Sequence, residues 1–79
     1  MKDINSNIKI KIYNEGIYEG ELKNDKREGK GIFYHNDGNI YEGDWKNNMA
    51  EGKGIYYFSN GDRYEGDFKN ENFLQYLNV

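Results

Sequence analysis

The chain contains no cysteine, no proline and no threonine. Without cysteine there is neither a disulfide framework nor a thiolate metal site, and the redox compartment is not readable. Histidine occurs once and serine twice, at Ser6 and Ser59, so no nucleophile–base pair can be assembled. No stretch approaches the ~18 consecutive apolar residues of a membrane-spanning helix. Met1 to Ile12 is polar with isolated isoleucines and lacks the apolar run of a signal peptide. No Asn-x-Ser/Thr sequon is present, which gives no support to secretion. Charge of one sign is also scarce: 14 acidic and 11 basic residues are finely interleaved, for a net charge of -3. That balance disfavours nucleic acid or anionic lipid as an electrostatic partner.

What is present is a repeat. Tyr18-Glu19-Gly20-Glu21-Leu22-Lys23-Asn24 returns as Tyr41-Glu42-Gly43-Asp44-Trp45-Lys46-Asn47 and again as Tyr64-Glu65-Gly66-Asp67-Phe68-Lys69-Asn70. A fixed period of this size marks stacked structural units. Mean hydropathy is low, but an aromatic content of 16% and the ordered repeat argue against disorder.

With 79 residues, the chain is expected to form one small domain with a limited core. Residues 1–7 are expected to be frayed. Ile8, Ile10 and Ile12 alternate with polar residues and predict a half-buried strand, followed by a turn at Asn14-Glu15-Gly16. In the register of the later units, Ile8 and Ile10 replace Gly31 and Phe33, and 8–17 is a partial unit. The first full unit, 18–40, sends a strand out from Tyr18 to Lys23. It turns over Asn24-Asp25-Lys26-Arg27, returns over Gly29 to His35 and closes at Asn36-Asp37-Gly38-Asn39. Asp-Gly is a strong hairpin signal because glycine tolerates positive φ. The second full unit, 41–63, repeats this with a turn at Asn47-Asn48-Met49-Ala50, a return from Gly52 to Phe58, and Asn60-Gly61. The last segment, 64–79, keeps the outward strand. Gln75 and Leu77 stand where the return-strand glycines stood, and the tail from Phe73 is a capping strand or short helical turn.

The order Tyr-x-Gly-x-aromatic, Lys-Asn, Gly-x-Gly-x-aromatic and Asp/Asn-Gly resembles the MORN repeat (membrane occupation and recognition nexus). Tyr41, Gly43, Trp45, Gly52, Gly54, Tyr56 and Gly61 fall on that pattern. Glu28 and Glu51 depart from it, since the family usually has histidine before Gly-x-Gly. The resemblance implies scaffolding at membrane-linked or cytoskeletal structures, or an accessory domain attached to an enzyme. Phosphoinositide recognition, proposed for such repeats, is the alternative. The expected location is cytoplasmic, peripheral to membrane or cytoskeleton through a partner.

Side chains alternate faces along a strand. Tyr18, Phe33, Tyr41, Trp45, Tyr56, Phe58, Tyr64 and Phe68 therefore share one face with Gly20, Gly29, Gly31, Gly43, Gly52, Gly54 and Gly66. Rings can lie flat over glycine backbone, and glycine permits strong twist. The expected fold is all-β: a single-layer, twisted antiparallel meander of hairpins, curled around its aromatic face. The rings would line a partner-binding groove with Trp45 and Tyr41 as central anchors. Rings that merely pack on the glycines and on each other are the bland alternative. Glu42, Asp44, Lys46, Lys53, Ile55 and Tyr57 fall on the other face, read as solvated and charge-paired. An uncovered layer with open edges predicts homo-oligomerisation through Ile8–Ile12 and the tail.

Other chemistries are weaker. The carboxylate pairs Glu19/Glu21, Glu42/Asp44 and Glu65/Asp67 recur once per unit on a solvated face, unlike the paired acids of a glycosidase cleft. His35 has Phe58 as its repeat counterpart and reads as a packed ring, with too few companions for a metal. Gly29-Lys30-Gly31 lacks the spacing of a phosphate loop and the helix after it. Asn36–Asn39 lacks the ligand spacing of a calcium loop. The reading is a non-catalytic protein-interaction module with no cofactor, no metal and no nucleic-acid partner.

Overall fold

Two-residue turns set the architecture. Asn24-Asp25 has φ values of 51° and 66°, and Asn47-Asn48 has 50° and 71°. Positive φ at both central residues matches the right-handed twist of the strands they join, and Asn and Asp are the non-glycine residues that best tolerate it. The structure, a computed structural model, describes residues 7–70 and the backbone of residues 72 and 73. It contains β1 (Lys9–Tyr13), β2 (Gly16–Lys23), β3 (Lys26–His35), β4 (Ile40–Lys46), β5 (Met49–Tyr57), β6 (Arg63–Lys69) and the two-residue β7 (Asn72–Phe73). They form one open antiparallel sheet in chain order, β1 to β7. The expectations for residues 1–6, 71 and 74–79 fall outside the described residues.

The turns after β2 and β4 are shorter than the four-residue segments the sequence suggests. The return strands begin at Lys26 and Met49 rather than at Gly29 and Gly52. The extra length is absorbed by irregularities in register between Gly20 and Leu22 and between Gly43 and Trp45. Facing them, Gly29 and Gly52 adopt φ of 77° and 108°, which a side chain would strain.

The tyrosine of the repeat binds the carbonyl three residues on, at both irregularities and again in the third copy of the motif. Tyr18 Oη donates to the Glu21 carbonyl at 2.7 Å, Tyr41 Oη to that of Asp44 at 2.8 Å, and Tyr64 Oη to that of Asp67 at 3.1 Å. To reach it, each tyrosine lies across the glycine two residues on. Glycines pair with one another across five strands: Gly20 with Gly31, Gly31 with Gly43, Gly43 with Gly54, Gly54 with Gly66. A Cβ on Gly20, Gly43 or Gly66 would stand 2.6, 2.8 or 2.6 Å from the hydroxyl of its own tyrosine. The glycine row is thus required by space: the rings occupy where side chains would be.

The first strand departs from the expected register. Ile10 pairs with Glu19 and Lys11 with Tyr18, so Lys11, not Ile10, stands in the row of Phe33. The cause is turn length. Asn14-Glu15 is a two-residue turn, whereas the connections after β3 and β5 span four residues (36–39) and five (58–62). A one-residue slip moves every side chain of a strand to the other face. Ile8, Ile10 and Ile12 therefore leave the aromatic face, and Tyr13 joins it, its ring centroid 5.7 Å from that of Phe33.

The core is a single cluster of Tyr18, Phe33, Tyr41, Trp45, Ala50 and Phe68. Tyr18, Trp45, Tyr41, Phe68 and Tyr64 meet edge to face in sequence, with centroids 4.8–5.4 Å apart. Such contacts are worth about 0.5–1.5 kcal/mol each beyond area burial. Arg27 covers the outer side, its guanidinium 4.6 Å from the Tyr13 ring and 4.8 Å from the Trp45 ring. One layer of strands, one layer of rings and one cation over them thereby supply the cover that a second sheet or helix usually provides.

Candidate interaction groove

The aromatic face does not form the expected groove. Trp45 is 6% exposed and Tyr41 2%, and Tyr18, Phe33 and Phe68 are buried with them. Tyr56 and Tyr64 are partly buried against the same cluster, and Phe58 stacks on Tyr56 at 4.9 Å. The structure thus brings all eight rings onto one face, five of them in the packed core, Tyr56 and Tyr64 against it and Phe58 at its rim. Trp45 is fixed further by donating Nε1–H to the Gly31 carbonyl at 3.1 Å. The physical reason is bulk: rings packed at interior density over that face leave no cleft there.

The concavity is on the opposite face. A groove of about 930 Å³ runs across the strands, lined by Ile10, Glu19, Ile32, Glu42, Ile55 and Glu65 on one side and Ile8, Lys30 and Lys53 on the other. Its floor is the backbone of Gly20, Gly31, Gly43, Gly54 and Gly66. Gly29 and Gly52 stay outside it, at the bulges. One wall is a single cross-strand row in which Ile10, Glu19, Ile32, Glu42, Ile55 and Glu65 are successive neighbours. The adjoining row is Ile12, Ile17, Tyr34, Ile40, Tyr57 and Arg63.

This face combines fixed charge with exposed apolar surface. Lys30 pairs with Asp44 Oδ1, and Lys53 pairs with Asp67 at 2.6 Å. Asp44 Oδ2 also accepts from the Lys53 amide at 3.1 Å. The Lys30 ammonium first, then the Lys53 amide, holds the Asp44 carboxyl below the ordinary range against a smaller cost of desolvation. Every exposed large hydrophobic residue among those described lies here: Ile8, Ile10, Ile12, Ile17 and Tyr34. Ile10 and Ile12 are 63% and 77% exposed.

In the sequence the alternating charges of this face read as a solvated surface, although isoleucines stand between them. The signal was available: Ile32 and Ile55 follow Gly-Lys-Gly in both full units. His35 lies between Phe33 and Tyr56, centroids 4.7 and 6.0 Å away, as a packed ring. Among the described residues no cluster of histidine and carboxylates could hold a metal ion. Among the described residues no helix is long and apolar enough to cross a membrane.

No curated protein matches the chain. The MORN repeat family model matches it at residues 18–40 and 41–63, the two full units. Since those units make up more than half of the sequence, the chain belongs to the MORN-repeat family, whose repeats are non-catalytic modules that generally serve protein interaction and scaffolding.

Proposed function

We propose that this chain is a protein-interaction module that receives a partner polypeptide in its glycine-floored groove. The observation carrying this reading is the placement of apolar surface. The described residues expose their large hydrophobic side chains on the groove face alone, while the rings of the aromatic face pack against one another. Contiguous exposed apolar area beside a concavity is the usual mark of a binding surface.

The test is affinity capture with the wild-type chain, an Ile32→Glu/Ile55→Glu groove variant and a Phe58→Ser variant at the rim of the aromatic face. Folding of all three is verified by far-ultraviolet circular dichroism. A partner lost only by the groove variant supports the proposal. A partner lost only by the Phe58 variant overturns it. Direct recognition of anionic lipid is disfavoured by the three glutamates in the groove wall. Sedimentation with phosphoinositide vesicles that survives high salt and is abolished by the groove variant would replace the protein partner with a lipid.

Self-association belongs to the same proposal. Among the described residues nothing pairs with the outer edge of β1, and Ile10 and Ile12 stand exposed along it. Unpaired edge strands with apolar side chains recruit a further strand. Gel filtration with light scattering should show a dimer that Ile10→Lys dissociates. A wild-type monomer at high micromolar concentration would remove this part. The family resemblance supports a cytoplasmic location, peripheral to membrane or cytoskeleton through the partner.

A further inference from the structure

We propose that the groove is built for a cationic segment in extended conformation, with lysine or arginine at about 10 Å intervals. This rests on the groove reading above and names the chemistry of its occupant.

The acidic wall is under-neutralised. Lys30 and Lys53, the cations of the facing wall, are committed to Asp44 and Asp67. Glu65 has Arg63 at 3.4 Å. Glu19 and Glu42 have no cation within ion-pair distance among the described residues; Glu19 instead accepts from Tyr34 Oη at 3.2 Å. The Tyr34 hydroxyl is correspondingly a weaker acid than usual, through desolvation first, then its bond to Glu19 and the charges of Glu19 and Glu42. A partner that brings positive charge meets an uncompensated field in a partly desolvated slot, where complementarity sets specificity and association rate.

The spacing selects among cations. The glutamates sit on alternate strands, so at ~4.8 Å per strand they stand roughly 9.6 Å apart, too far to share one metal ion. Ile32 and Ile55 fill the intervals. The walls flank the glycine row one residue to either side, hence ~7 Å apart, which is narrower than the ~10–12 Å of a helix with its side chains. An extended chain fits that slot. In polyproline II conformation every third residue returns to the same face after ~9.3 Å, which matches the glutamate interval. The bare floor lets the backbone of the occupant approach closely.

The experiment is fluorescence anisotropy of labelled peptides against the full chain. One peptide carries arginine at every third position with alanine and leucine between. A second has the same composition with its arginines clustered. A third has glutamate in place of arginine, and a fourth has glutamine there. The chain is tested as wild type, as Glu19→Gln/Glu42→Gln/Glu65→Gln, and as the groove-blocking Ile32→Arg/Ile55→Arg, each checked by circular dichroism and tryptophan emission. The spaced cationic peptide should bind best, weaken with added salt, and lose about tenfold or more in affinity in the triple glutamine variant. Equal binding of clustered and spaced peptides, or no effect of the glutamine substitutions, overturns the proposal. A glutamine peptide that binds as well and is displaced by the Ile32/Ile55 variant also overturns it, yet leaves the groove reading standing. If no peptide responds to the Ile32/Ile55 variant, both fail.

Discussion

Arg27 and Asn48 hold each other through four hydrogen bonds. The Arg27 amide and Nε both donate to Asn48 Oδ1, at 2.9 and 3.1 Å. Arg27 Nη2 donates to the Asn48 carbonyl at 2.7 Å, and the Asn48 amide returns a bond to the Arg27 carbonyl at 3.1 Å. One residue belongs to the first full unit and the other to the turn of the second, so this contact fixes neighbouring units together. Asn48 also has φ of 71°. Asn48→Gly keeps that conformation and removes only the side-chain bonds, and should cost roughly 1–2 kcal/mol. Asn48→Ala adds backbone strain and should cost more. Urea denaturation of both variants gives the comparison, and equal midpoints for glycine and alanine would contradict the assignment.

The glycine row should tolerate no side chain. A Cβ on Gly43 would stand 2.5 Å from the Gly54 Cα and 2.8 Å from Tyr41 Oη. Gly43→Ala is expected to destabilise by about 1–3 kcal/mol through forced displacement of backbone or ring. The measurement is the urea midpoint, with Lys46→Ala on the exposed end of β4 as a control within roughly 0.5 kcal/mol of wild type.

The buried tyrosines should make the fold sensitive to alkali. Desolvation first, then the nearby Glu21 charge, pushes the Tyr18 hydroxyl up to about 12. Tyr41 is raised further, again by burial first and then by Asp44. A folded-state value above that of the unfolded chain means stability is fully present below about pH 10 and falls as pH rises toward 12. Tyrosinate absorbance should show late-titrating groups that coincide with loss of the β-sheet signal. Tyr18→Phe should lose part of this pH dependence, and should also cost about 1 kcal/mol at neutral pH because the Glu21 carbonyl is left without its donor.

Trp45 should behave as core. Its emission should be blue-shifted and poorly quenched by acrylamide, and partner binding in the groove should leave both nearly unchanged. Trp45→Ala should cost about 3–5 kcal/mol, as for large aromatic truncations in cores. Lost partner binding in that variant would then report unfolding, so groove substitutions are the proper probe of recognition.

Much of this fold is legible in the sequence, because each level of pattern has one physical reading. Recurrence of Tyr-x-Gly fixes unit boundaries, and alternation within each unit fixes which residues share a face. Alternation yields two faces and does not say which one is concave. That depends on whether eight rings leave a space or fill it, a question of volume that residue order does not carry. The register of β1 escaped for a different reason. Moving the turn glycine to Gly16 shortens the connection and slips the pairing by one, so Ile10 stands opposite Glu19. The bulges at Glu21 and Asp44 follow the same logic, since turn type decides how many residues remain to be paired.

The cross-strand row of alternating isoleucine and glutamate works as a ruler. Each 23-residue unit contributes one tooth of each kind and lengthens the trough by two strands, about 9.6 Å. Reach, and with it the length of ligand that can be gripped, therefore scales with the number of units. Selectivity can be rewritten one tooth at a time, without disturbing the ring stack behind it.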